Sequence, residues 1–153
     1  MLALLPSVAP IPPRAVTFSL TVETMSYKSW RILIVDEQPA LQNRIGKAFK
    51  ELGCRGLTRV HSFRELLGVT HYSCEPFELF DLMIINAQLI VAAGVDPVRF
   101  FQTNTQIRHA VIHDAHRGQP QAETIYANHR RQLMLIRSAD RDTLGPLLEH
   151  FDV

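Results

Sequence analysis

The feature that most restricts what this chain can fold into is a repeated exchange between two hydrophobic periods. Short apolar runs recur, and between them lie segments whose apolar residues are spaced for one helix face. "WRILIVDEQP" (30–39) opens with a run that reads as a buried strand ending in two carboxylates, Asp36 and Glu37. "PALQNRIGKAFKELG" follows, with apolar residues at 41, 45, 48, 49 and 52, the stripe of a helix. Pro39 suits its first turn and Gly53 its end. "GLTRV" (56–60) predicts a short second strand, and "SFRELLGV" a helix with Ser62 and Glu65 placed as a capping box. "THYSCEPFELF" (70–80) is a proline-marked loop, and "FDLMIINAQL" (80–89) holds a third strand ending in the amide of Asn86.

Beyond that strand, Asp96 as N-cap and Pro97 at the first position start a helix, "DPVRFFQTN". "RHAVIHDA" (108–115) predicts a fourth strand, "GQPQAETIYANHR" a short helix weak in apolar character, and "QLMLIR" (132–137) a fifth strand. "SADRDTLGPLLEHF" is the last helix, capped by Asp140 and weakened or kinked at Gly145-Pro146. The order βαβαβαβαβα argues an α/β fold with a parallel, doubly wound sheet. Ligands in such sheets gather at the carboxyl ends of the strands. Here those ends carry Asp36, Glu37, Asn86, Asp114 and Arg137.

Composition removes several function classes. At 153 residues the chain is one domain in length, and a net charge of +1 supplies no global field for nucleic acid or an anionic membrane. No window approaches 18 apolar residues, so no membrane span is expected. Two cysteines, Cys54 and Cys74, make neither a disulfide framework nor a zinc site and read as free thiols in a reducing compartment. Residues 1–24 stand apart. Four prolines (6, 10, 12, 13) oppose a helix there, and no basic segment marks a signal peptide. Val16, Phe18, Leu20 and Val22 alternate with polar residues, so 15–23 is either an extra strand or part of an extension upstream of a start at Met25.

With these residues in place, residues 30–152, within a domain expected to span 25–153, resemble the receiver domain of bacterial response regulators, of the chemotaxis-regulator type. The resemblance rests on the acidic pair in "VDE", a glycine (Gly94) eight residues after Asn86, strand ends in register, and a basic residue closing the fifth strand. It implies a flavodoxin-like (βα)5 fold with a five-stranded sheet in the order 2-1-3-4-5. It also places Asn86 where the family has its phosphoacceptor aspartate, Asp114 in place of a hydroxyl residue, and Arg137 in place of a lysine. The family's aromatic switch residue falls on Met134, and its Met-Pro on Leu89-Ile90.

The scaffold matches and the chemistry does not. Phosphotransfer needs a carboxylate nucleophile, and a neutral amide is a poor one. Asp36 and Glu37, with the Asn86 oxygen, could hold Mg²⁺ only weakly, and no other cofactor is expected. Asp114 would repel a phosphoryl anion. An Asp114–Arg137 ion pair, with the Asn86 amide donating to Asp114, would mimic the phosphorylated state. The expectation is a stand-alone, cytoplasmic, non-enzymatic pseudo-receiver: a phosphorylation-independent protein-interaction module in two-component signalling. Its partner would be a kinase, an output regulator or an enzyme, or a second copy. The family's interaction face would here comprise Tyr126, His129, Met134, Ser138, Arg141 and Leu144. The alternative is a small-molecule or metal sensor using the vestigial pocket. A hydrolase built on Asp36, Glu37 and Asp114 lacks a nucleophile.

Two local clusters invite other readings. His109, His113, Asp114 and His116 lie close in sequence, but His109 and His113 on one strand face would stand about 13 Å apart, too far for one metal ion. "NHRRQ" (128–132) offers Arg130 and Arg131 to phosphates, or is a solvated turn.

Overall fold

A computed structural model describes residues 26–70 and 78–152. The sequence-level expectations for residues 1–24, for Cys74 and for most of the 70–80 loop fall outside these residues. After a single 3-10 turn at Tyr27–Ser29 the elements run β1 (Arg31–Val35), α1 (Pro39–Glu51), β2 (Gly56–Val60), α2 (Phe63–Val69), β3 (Phe80–Asn86), α3 (Ala87–Ala93) and α4 (Pro97–Thr103). Then come β4 (Ile107–His113), β5 (Glu123–Ala127), β6 (Gln132–Ile136) and α5 (Arg141–Phe151).

The predicted caps form. Ser62 Oγ accepts the Glu65 N–H at 3.1 Å, although the Glu65 carboxylate reaches back to the His61 N–H rather than to that of Ser62. Asp96 Oδ1 accepts from Val98 N at 3.0 Å, and Asp140 Oδ1 from Thr143 N at 2.9 Å. Helix α1 ends where Gly53 adopts φ +92°, with Gly53 N donating to Lys50 O (3.0 Å) and Cys54 N to Phe49 O (2.9 Å). These two bonds are those of a Schellman close, which needs a left-handed residue. Helix α5 runs unbroken through Pro146. Its Leu144, Leu147, Leu148 and Phe151 are all buried, and at about 1.5–3 kcal/mol each they outweigh a proline cost of roughly 3 kcal/mol.

The sheet is mixed, six-stranded and ordered β2-β1-β3-β4-β6-β5. All neighbours are parallel except β5 and β6, which are antiparallel. This corrects the expected sheet of five parallel strands in the order 2-1-3-4-5. The cause lies in 118–130, where a helix was expected. Gly118 and Pro120 oppose a helix, while Thr124, Ile125 and Tyr126 favour an extended chain. Asn128 closes the turn, its Oδ1 accepting from Arg130 N (2.8 Å) and Arg131 N (2.7 Å). The chain therefore leaves the carboxyl end of β4, runs back along the outermost strand β5, and returns as β6 parallel to β4. A hairpin replaces the crossover helix that a direct β4-to-β6 parallel connection requires.

Side-chain alternation divides the core into two layers. Ile32, Ile34, Leu82, Ile84, Val111, Met134 and Ile136 face α1 and α5. Leu33, Val35, Met83, Ile85, Ala110, Ile112 and Leu133 face α2, α3 and α4. By the same parity Asp36, Asn86, His109 and His113 belong to the α1/α5 side. His109 is buried there, stacked on Phe151 with ring centroids 4.7 Å apart.

Candidate functional site

The carboxyl ends of β1, β3, β4 and β6 lie side by side, so the residues that follow these strands meet at one edge of the sheet. Asp36 is buried there at 1% exposure. Its Oδ1 accepts from Gln38 N at 2.9 Å, and its Oδ2 accepts from Asn86 Nδ2 at 3.1 Å. Gln42 closes the site beneath: its Nε2 donates to Asp36 O and Val60 O, each at 2.7 Å.

Asn86 is fully committed. While Nδ2 holds Asp36, Oδ1 accepts from Gln88 N at 2.9 Å and caps α3. The backbone donor fixes which end of the amide is oxygen. Gly94, which carried part of the family resemblance, is the left-handed C-cap of the same helix at φ +68°. An Asn just before an apolar stretch and a Gly just after it is the signal that would have shown α3 in the sequence.

The other strand-end residues do not join this contact. Glu37 is exposed. Asp114 Oδ1 accepts from His116 N at 3.1 Å, and Arg137 Nη1 donates to Gly118 O at 3.4 Å. No Asp114–Arg137 ion pair occurs among the described residues, and the Asn86 amide turns to Asp36 instead of Asp114. The expected internal mimic of a phosphoryl bridge is therefore not formed.

Each oxygen of Asp36 already accepts one N–H donor. No group of three His, Cys, Asp or Glu residues among the described residues is arranged to hold a metal ion.

A cleft of about 770 Å³ lies beside this closed corner, between α1 and the β6–α5 junction. Arg44 and Lys47 line it from α1, Arg137, Ser138 and Arg141 from the junction, and His113 from the end of β4. His113 is 7% exposed, and its Nδ1 is buried with no hydrogen-bond partner among the described residues. Burial pushes its pKa down; Asp36, the nearby Arg137 backbone and Asp114 oppose that shift, and Arg44 adds to it. Arg44 and Lys47 were missed in the sequence, where no local signal separates them from the exposed Lys50 that follows at the same three-residue spacing.

The expected interaction face does not exist as one surface. Met134 and Leu144 are 6% and 1% exposed, both in the α1/α5 core. Tyr126 packs against the opposite core layer, 5.9 Å from the Phe101 ring. His129 lies in the hairpin turn before β6, whereas Ser138 and Arg141 follow its other end. Strand β6 separates them by about 13 Å of rise.

The basic turn is not a phosphate surface. Arg131 sits 4.1 Å over the Phe101 ring, and its Nη2 donates to the carbonyls of Phe101 (2.6 Å), Asn104 (2.9 Å) and Ile107 (2.9 Å). It ties the end of α4 to the start of β4. Arg130 pairs with Glu78 at 3.3 Å.

No helix among the described residues is long and apolar enough to cross a membrane. Comparison with protein-family models, curated proteins and solved structures returns no match.

Proposed function

We propose that this chain is a pseudo-receiver that acts as a phosphorylation-independent, non-enzymatic protein-interaction module in bacterial signalling. The observation that carries this reading is the double commitment of Asn86, which caps α3 with its oxygen and holds Asp36 with its nitrogen. An amide in that position offers no nucleophile, and the acid beside it is buried with each oxygen accepting an N–H donor. The corner that would switch in a phosphorylated receiver is thus a fixed joint between β1 and α3. The partner would be another signalling protein: a kinase, an output regulator or an enzyme. With Met134 and Leu144 in the core, its contacts come from exposed residues such as His129, Ser138 and Arg141.

The test has two steps. Incubation with acetyl phosphate and Mg²⁺ is expected to add no mass to the intact protein, and beryllofluoride to leave its spectrum unchanged. A partner identified by cross-linking and then purified is expected to bind with the same Kd in the presence and absence of acetyl phosphate. A phosphorylated species at Asp36, Glu37 or Asp114, or an affinity that changes with acetyl phosphate, overturns the reading.

A further inference from the structure

The cleft between α1 and the β6–α5 junction shares no lining residue with the Asp36–Asn86 joint, although Ser138 and Arg141, offered above as partner contacts, line it. Four cationic residues line it, Arg44, Lys47, Arg137 and Arg141, and of these Arg137 also donates from Nη1 to the Gly118 carbonyl at 3.4 Å. Three acids line the same cleft, Glu51, Asp140 and Asp142, yet no cation of the four makes an ion pair with any of them. Asp140 is occupied in capping α5. The cations are therefore not neutralised within the described protein, although opposite charge is at hand. His113, at the end of β4, also lines the cleft.

We propose that this cleft binds a phosphorylated small molecule that also carries hydroxyl donors, a nucleotide or a sugar phosphate. Each part of the lining meets one part of such a ligand. Arginine forks and a lysine suit the phosphate oxygens. Glu51 and Asp142, whose carboxylates accept no hydrogen bond among the described residues, suit hydroxyl groups. Leu41, Ile45 and Ala139 supply an apolar wall for the rest of the molecule. The volume is larger than inorganic phosphate needs and falls within the range of small-molecule pockets, about 300–1,000 Å³.

The experiment is isothermal titration of the full chain with ADP, glucose 6-phosphate, pyrophosphate and adenosine, followed by hydrogen exchange with the bound probe. Saturable one-to-one binding of ADP or glucose 6-phosphate is expected, with protection at 44–51 and 137–142, and the tighter of the two identifies the source. Arg44→Gln/Lys47→Gln is expected to weaken binding at least about tenfold. Arg64→Gln, on the opposite side of the sheet, is expected to leave it unchanged. Both replacements lie at exposed positions, and the melting temperature checks that the fold is kept. No saturable binding, adenosine binding as well as ADP, pyrophosphate binding alone, protection elsewhere, or indifference to Arg44→Gln/Lys47→Gln would each overturn the proposal.

Discussion

Asn86 links two parts of the chain fifty residues apart, and the two ends of its side chain can be tested separately. Asn86→Asp keeps a good N-cap for α3 but replaces the donor to Asp36 with a second carboxylate. A buried acceptor that loses its donor costs about 1–3 kcal/mol, and like charge adds to that. The variant is expected to be less stable than the parent by about this amount in urea at neutral pH. Two adjacent carboxylates raise the pKa of at least one of them, so the deficit is present above that raised value. It shrinks as the pH falls through it, when a protonated acid can donate to its neighbour. A deficit that does not change with pH would show that repulsion is not its source.

At the scale of elements, one side chain closes the turn of the β5–β6 hairpin. Asn128 Oδ1 accepts two turn N–H groups, and the Asn128 backbone adds a bond from its N–H to Arg131 O at 2.9 Å. Asn128→Ala is expected to lose about 0.5–2 kcal/mol, as for a lost cap, and to speed amide exchange in Glu123–Ala127. Asn128→Asp keeps the acceptor and is expected to retain most of the stability. Equal losses for both variants would mean that strand pairing alone holds the turn. The same hairpin dismantles the expected interaction face, since β5 occupies the sheet edge where a helix was expected.

For the whole molecule, the buried histidines are expected to contribute to the acid limit of stability. Burial, with help from Arg108 and Arg131, holds His109 down to about 4, and His113 is lowered as well. In the unfolded chain both return to about 6.5 and bind protons more readily. The folded state is therefore at full advantage above pH 6.5 and loses stability as the pH falls toward the folded value of His109, about 4. A loss of about 1–3 kcal/mol is expected across that window. His109→Gln, which keeps an acceptor for the Gln132 N–H, is expected to flatten the profile. An unchanged slope in the variant would assign the acid limb to other groups.

The sequence by itself determined the class of fold, the strand carboxyl ends and the helix caps at Ser62, Asp96 and Asp140. Each of these is a local signal: apolar spacing of two or of three to four residues, or a polar side chain within three residues of the N–H it accepts. Only the tertiary structure decided the rest. Residues 123–127 carry a weak pattern, and pairing with β6 makes them a strand. Arg131 reads as a surface cation until Phe101, Asn104 and Ile107 turn their carbonyls toward it. Asp36 looks like half of a metal site until Asn86 arrives from the end of β3 and takes its free oxygen. The cationic cleft exists only where α1 meets the β6–α5 junction. Such contacts join residues from 5 positions apart, in the β5–β6 pairing, to about 100 apart, across the cleft. Local spacing constrains each partner's secondary structure but says nothing of which side chain it will meet.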